Sequence, residues 1–210
     1  MSAPDSESDC RIVPYSSQEL VVAHWAENRI LCEMVETSLS LVRGSTVDPD
    51  DLDALVREAR RLYHSKGDGM TDENIRAFEL FHRAAKSGFA DAQHCLGFCY
   101  EQGQVVPQDH AEAAKWYRKS AEQGHANGQM GLGYCYNNGH GVPQDYVEAA
   151  KWYRKAADQG AAAAQYNLGS CYEQGHGVPV DMLQSYKWYR LSADQGDIRA
   201  ASDSASSFAS

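Results

Sequence analysis

The hydrophobic and polar residues of 126–160 follow the periodicity of two short helices. In 126–138, small and apolar residues recur at i, i+4, i+7 and i+8, the spacing of one helix face: Gly128, Leu132, Cys135 and Tyr136. Gly139 and Pro143 then break the helix, and Asp145 is placed to cap a second one that ends at Gly160. The second helix carries the stripe Ala149, Trp152, Tyr153, Ala156 and Ala157. The segment is predicted to be a helical hairpin, with Gly133 allowing close approach of the Trp–Tyr pair.

The same pattern of residues occurs three times, at an interval of 36 residues. Leucine followed by glycine recurs at Leu96, Leu132 and Leu168, and the segment KWYR recurs at 115–118, 151–154 and 187–190. A fixed period of this length is typical of stacked supersecondary units in which each unit contacts only its neighbours. The chain is therefore predicted to be a repeat protein.

The repeated residues resemble a known family. The matching features are A-x-x-x-L-G-x-x-Y-x-x-G at 92–103 and 164–175, the G-x-G-V-P loop, and A-x-x-W-Y-x-K-x-A-x-x-G at 113–124 and 149–160. They resemble the Sel-one-like repeats (SLR), relatives of the tetratricopeptide repeats (TPR). The resemblance implies an all-α fold, a right-handed α-solenoid of stacked helical hairpins that forms a TPR/SLR-like superhelix. The pattern departs from the family at Val105 and at Gly128.

The segments outside the clear repeats, which span 89–196, are assigned by weaker signals. Residues 48–88 are predicted to be a degenerate first repeat, in which Arg60-Arg61 replaces the Leu-Gly pair and faces water as in a capping unit. Residues 16–47 are predicted to be an amphipathic helix that either caps the solenoid or contacts a partner, after a disordered tail at 1–15. Residues 197–210 are predicted to be a terminal cap or tail, or the start of a truncated repeat.

Composition excludes several classes of partner. The chain has 29 acidic and 19 basic residues, a net charge of −10, which argues against a nucleic-acid surface. Its most apolar stretch, 20–42, is interrupted by four charged residues, so we expect no membrane insertion, and with no signal peptide we expect a cytoplasmic protein. Cys99, Cys135 and Cys171 occupy the same place in successive repeats, and stacked helices about 8–10 Å apart cannot bridge them. Buried free thiols are predicted.

Motifs for catalysis or cofactor binding are not found in the sequence. It contains no G-x-S-x-G, H-E-x-x-H, P-loop or G-x-G-x-x-G pattern. His140 and His176 share a loop position in adjacent repeats, but an offset of about 10 Å would keep them from one zinc ion. We therefore expect solvated loop histidines, no cofactor, no metal and no catalytic residue.

A binding surface is predicted on the first helix of each repeat. If Leu96, Cys99 and Tyr100 face inward, the residues on the opposite face differ from repeat to repeat, whereas the inward residues stay constant. Packing requires the same residues in each unit, but recognition of an irregular partner does not. In superhelices of the related families this face lines the concave groove. The alternative is that its aromatic residues fill gaps between neighbouring helices. The predicted partner-binding residues are Asp91, His94, Phe98, Glu101, Met130, Tyr134, Asn137, Asn138, Tyr166, Ser170 and Glu173.

The resemblance and the groove together predict a non-enzymatic adaptor or scaffold that binds a protein or peptide partner. One alternative is a bacterial immunity or inhibitor protein that masks a toxin. A second is a hydrolase of the β-lactamase-like, cysteine-rich SLR type, but those relatives use a cysteine pair in each repeat and an export signal, and this sequence has neither.

Overall fold

The computed structural model describes residues 51–63 and 71–206, with side chains as far as residue 202. The predictions for 1–15 and 16–47 lie outside the described residues. The described parts fold into helices without strands. In chain order the helices are α1 (Leu52–Tyr63), α2 (Asp72–Lys86), α3 (Ala90–Gln102), α4 (His110–Glu122), α5 (Ala126–Asn138), α6 (Tyr146–Asp158), α7 (Ala162–Gln174), α8 (Met182–Ala193) and α9 (Ile198–Ser206).

The helices form a stack of antiparallel hairpins, and the predicted all-α solenoid is confirmed. Each helix packs against the helix before it and the helix after it in the chain, as expected for stacked units. The first helices α3 and α5 of neighbouring hairpins also contact one another directly. This closeness is expected on the inner side of a curved stack.

The helix ends follow from the repeated glycine and aspartate residues. In the three clear repeats each first helix ends at a glycine in the left-handed conformation, with φ between 67° and 73°: Gly103, Gly139 and Gly175. Each second helix of these repeats begins at an aspartate whose side chain accepts hydrogen bonds from first-turn N–H groups: Asp109, Asp145 and Asp181. These contacts satisfy groups that a helix terminus leaves open, so the predicted hairpin boundaries are correct.

Within each hairpin a glycine of the first helix faces a tyrosine ring of the second. A Cβ atom at Gly133 would lie 2.7 Å from Cδ1 of Tyr153, and the other hairpins have the same arrangement. The prediction for Gly133 was right about the tyrosine but wrong about the tryptophan. Trp152 instead packs on the preceding cluster, which contains Leu132 and Cys135. The two adjacent rings therefore serve different interfaces, because neighbouring residues on a helix point about 100° apart.

The departure at Gly128 is explained by Ser120. A Cβ atom at Gly128 would lie 2.3 Å from Ser120 Oγ and 2.5 Å from Ser120 Cβ. Two other interfaces have alanine at both corresponding positions, Ala84 with Ala92 and Ala156 with Ala164, and the last has Ser192 with Ala200. The Ser120 hydroxyl donates to the carbonyl oxygen of Ala90 at 2.7 Å. The contact between α4 and α5 thus has a Ser–Gly pair where the corresponding contacts of the neighbouring repeats have an Ala–Ala pair.

A pair of glutamines, here called the glutamine clamp, joins each hairpin to the one before it. Gln129 is buried in α5, and its Nε2 donates to the carbonyl oxygen of Ala121 at 3.4 Å. Its Oε1 accepts a hydrogen bond of 2.7 Å from Gln159, at the end of the same hairpin. The clamp recurs in the two other repeats as Gln93 with Gln123 and Gln165 with Gln195. It supplies a donor to a last-turn carbonyl at the end of each second helix.

Candidate binding groove

The predicted binding positions belong to the first helices α3, α5 and α7 of the clear repeats. Among them, Phe98 is 39% exposed and Tyr134 is 37% exposed. Phe98 makes an edge contact with Tyr63, and Tyr134 makes one with His140. We refer to this set of positions as the groove face.

A polar cavity of about 230 Å³ opens on the groove face between the second and third clear repeats. It brings together three of the predicted residues, Asn137, Asn138 and Ser170. The other lining residues were not among the predicted partner-binding residues, and they are Gln144, Tyr146, Tyr153, Asn167, Cys171, Gln174 and His176. Most of these side chains carry amides or hydroxyls, so the cavity offers uncharged hydrogen-bond donors and acceptors.

A tyrosine hydroxyl is left open in this cavity because the repeat pattern breaks there. In the flanking hairpins the buried tyrosine donates to a glutamate of the groove face: Tyr117 to Glu101 at 2.5 Å and Tyr189 to Glu173 at 2.8 Å. The middle hairpin has Asn137 at the glutamate position, and within the described structure no hydrogen bond reaches the hydroxyl of Tyr153. Burial raises the pKa of Tyr153, so the hydroxyl is a neutral donor at neutral pH.

The loop histidines are not the solvated groups that the sequence predicted. His176 stacks on Tyr146 with ring centroids 4.2 Å apart, and His140 stacks on His110 at 4.3 Å. Gly141 makes such contacts possible, because a Cβ atom there would lie 2.0 Å from the carbonyl oxygen of His110. Each loop thus packs against the first residue of the preceding second helix. The common loop position of His140 and His176 was the available signal for this role.

Several other predicted residues are engaged within the protein. Tyr166 is half-buried, with the guanidinium of Arg199 4.4 Å from its ring centroid. Met130 packs on the core cluster of the third clear repeat. Asp91 forms an ion pair with Arg60 at 2.6 Å and lies 3.4 Å from Nε2 of His125. For these positions the packing alternative describes the contacts better than an open groove does.

His94 lies at the edge of a second cavity, of about 450 Å³, between the first hairpin and α3. The cavity is lined by Arg60, Tyr63, Phe81, His94, Cys95, Phe98 and Cys99. Burial, with a smaller contribution from His125, lowers the pKa of His94 to about 4. His94 is therefore uncharged at neutral pH.

The described cysteines are free and buried: Cys95, Cys99, Cys135 and Cys171. Burial raises the pKa of Cys95 and Cys171 to about 11 and that of Cys99 and Cys135 to about 12. A thiol must ionise to act as a nucleophile, so the raised pKa makes these four poor nucleophiles at neutral pH. The prediction of buried thiols is confirmed for them.

The basic residues of the second helices are held in internal pairs. Lys115 and Lys151 each pair with a glutamate three residues earlier, at 2.5 and 2.6 Å. Lys119 and Lys155 lie over the rings of Trp116 and Trp152. The first two lysines are exposed, whereas the other two also cover the tryptophans. Across the described helices, none combines the length and the apolar character that a membrane span requires.

Comparison with known proteins identifies the repeats and related structures. The Sel1 repeat model matches residues 53–89, 90–125, 126–160 and 162–197. A comparison with curated proteins gives no match. A protective antigen of uropathogenic Escherichia coli with an SLR fold is 33% identical with a TM-score of 0.64, over 74% of this chain and 35% of that one. A Sel1 repeat protein from Oxalobacter formigenes is 36% identical with a TM-score of 0.60, over 71% and 61%.

The chain thus spans about a third and about three fifths of these two related chains. An immunity protein from Pseudomonas aeruginosa is a weaker match, 22% identical with a TM-score of 0.40 over 75% of this chain and 70% of that one, and it carries no argument about function. The first of the four matched repeats begins at residue 53, so the degenerate repeat predicted from the sequence falls largely within the family pattern. Because the family model matches more than half of the residues, the protein belongs to the Sel1 repeat family.

Proposed function

We propose that this protein is a non-enzymatic adaptor that holds an extended segment of a partner protein on its groove face. The polar cavity between α5 and α7 is the centre of the binding site. The observation that carries the proposal is the unpaired hydroxyl of Tyr153 beside Asn137, at the one clear repeat where the tyrosine–glutamate bond is missing.

The chemistry of the cavity favours a peptide backbone as the ligand. An extended peptide presents N–H and C=O groups in alternation, and amide side chains such as Asn137 and Asn167 can pair with both kinds of group. The hydroxyl of Tyr153 adds a donor for one peptide carbonyl. The site therefore fits an uncharged stretch of a partner chain.

The exposed aromatic residues extend the site along the stack. Tyr134 lies one turn before Asn138 on α5, and Phe98 occupies the same place on α3. Aromatic side chains are the residues that contribute most to protein interfaces when a partner covers them. A segment that crosses the polar cavity and continues toward α3 would cover Tyr134 first and Phe98 next.

The experiment compares partner capture by the wild-type protein and by Asn137→Glu. The glutamate reproduces the Glu101–Tyr117 arrangement, so we expect a folded protein in which the Tyr153 hydroxyl is already bonded. Proteins captured from the native cell extract are quantified by mass spectrometry. Lys151→Glu, on the exposed face of α6, is the matched control because it introduces the same acid away from the groove.

We expect Asn137→Glu to reduce recovery of specific partners by at least about tenfold, which corresponds to about 1.4 kcal/mol, while Lys151→Glu leaves it unchanged. Equal recovery by the wild type and Asn137→Glu would refute the assignment of the cavity as the binding site. A double variant, Phe98→Ala/Tyr134→Ala, tests the aromatic extension in the same assay.

A further inference from the structure

The strongest cluster of metal-binding groups in the described residues lies on α3, away from the polar cavity. Asp91, His94 and Cys95 each offer one ligand atom, and these three atoms lie within 4.8 Å of one another. Their spacing of i, i+3 and i+4 places them on neighbouring turns of one helix. The neighbouring repeats have no counterpart, because Cys95 is replaced there by Gly131 and Asn167.

A fourth group approaches the same point from the next repeat. Nε2 of His125 lies 3.4 Å from Oδ1 of Asp91, and the rings of His125 and His94 are 5.8 Å apart between centroids. Nδ1 of His125 lies 3.2 Å from the Ser120 hydroxyl, which itself donates to the carbonyl oxygen of Ala90. Nδ1 of His125 also accepts a hydrogen bond of 3.3 Å from the backbone N–H of Gly128. The ring proton therefore lies on Nε2, and His125 donates to Asp91 from the neighbouring repeat. An outer group that holds a carboxylate in this way orients it for a metal ion.

The structure already holds a positive charge at this point. Nη2 of Arg60 lies 2.6 Å from Oδ1 of Asp91 and 3.7 Å from Sγ of Cys95. Its side chain is 45% exposed and borders the 450 Å³ cavity, so the guanidinium has room to swing away. Nδ1 of His94 is buried without a hydrogen-bond partner, so no hydrogen bond competes with a metal for this nitrogen.

We propose that Asp91, His94 and Cys95 form a binding site for a zinc-type divalent cation, which displaces the guanidinium of Arg60, and that His125 holds Asp91 in place. The set has one oxygen, one nitrogen and one sulfur, a combination that suits zinc with a fourth position open. Bonds of about 2.0–2.3 Å put tetrahedral ligand atoms about 3.5 Å apart, so the spread of up to 4.8 Å among these three atoms requires a contraction of about 1 Å.

The experiment titrates the untagged 210-residue chain with Co²⁺ in place of Zn²⁺. Binding through Cys95 gives a thiolate-to-cobalt charge-transfer band, and added Zn²⁺ should abolish it. We expect Cys95→Ser to lose the band and Asp91→Asn to weaken binding at least about tenfold. Cys135→Ser, which removes a buried thiol of the next repeat, is the matched control and should keep the band. Circular dichroism establishes that each variant is folded.

Arg60→Gln provides a test that does not depend on losing a ligand. Removing the competing charge should tighten Co²⁺ binding by about two- to fivefold, the effect of one partly exposed ion pair. Absence of the band in the wild type, its persistence in Cys95→Ser, or weaker binding by Arg60→Gln would each overturn the proposal. None of these outcomes bears on the polar cavity, which lies in a different repeat interface.

Discussion

The Ser120–Gly128 pair allows a quantitative test of how the repeats fit together. Gly128→Ala adds a Cβ atom 2.3 Å from Ser120 Oγ, 2.5 Å from Ser120 Cβ and 2.9 Å from the backbone nitrogen of Ala121. Overpacking of this kind costs about 2–3 kcal/mol, and the higher helix propensity of alanine returns about 1 kcal/mol. We therefore expect Gly128→Ala to destabilise the protein by about 1–2 kcal/mol.

The same substitution should cost less once the serine is gone. In Ser120→Ala the contact with Oγ disappears, and the Ala–Ala pairs of the neighbouring repeats show that this combination can pack when the helices separate slightly. Ser120→Ala alone loses the hydrogen bond to Ala90, worth about 0.5–1.5 kcal/mol. We expect the double variant to be more stable than the sum of the single changes predicts, by about 1 kcal/mol.

Urea unfolding followed by circular dichroism measures all four proteins of this cycle. The wild type, the two single variants and the double variant must be compared at one temperature and with similar m-values. If Gly128→Ala costs the same in the wild type and in the Ser120→Ala background, or stabilises both, steric exclusion by the serine is not the reason for the glycine. A serine and an alanine do occur together at the last interface, as Ser192 with Ala200, where α9 packs mainly on α8.

Three further predictions concern other parts of the stack. Gln129→Ala should lower the free energy of unfolding by about 1–3 kcal/mol in urea denaturation, because the clamp loses its central amide. Gly141→Ala should cost at least about 3 kcal/mol, since a Cβ atom would overlap the His110 carbonyl. Gly160→Ala, also at positive φ but in open space, should cost about 1 kcal/mol; equal costs would exclude overlap as the cause. The four buried thiols, with pKa values raised to about 11–12, should react with a disulfide reagent at pH ~8 only after denaturation. The test uses a variant that lacks the two remaining cysteines. Fast reaction of the native protein would contradict the burial of the four thiols.

The sequence predicted the hairpins well because the information for them is local and repeated. Gly139, Asp145 and Gly160 act on the backbone near their own positions, and the structure places the helix ends there. The glutamine clamp left an equally regular signal, Gln93, Gln129 and Gln165. It was missed because a polar side chain in a helix is ordinarily assigned to the solvent-facing side.

The groove was predicted less well because its contacts cross the repeat boundaries. The helix wheel places Asp91 and Asn137 on one face, but only the folded chain brings Arg60 onto Asp91 and leaves Asn137 beside an open hydroxyl. The sequence argument about metals concerned His140 and His176, which share a loop position, whereas the structure brings together Asp91, His94 and Cys95 on neighbouring turns of one helix. Residues about 30 apart in sequence decide these environments, and periodicity alone does not show which of them meet.

The glutamine clamp also restricts how the length of this protein can change. Gln129 bonds a carbonyl eight residues before it and accepts from a side chain thirty residues after it. One residue inserted into α5 just after Gln129 would rotate Gln129 by about 100° relative to the rest of the helix and remove it from both partners. Such a solenoid tolerates the gain or loss of a whole 36-residue unit far more easily than that of a single amino acid within a helix.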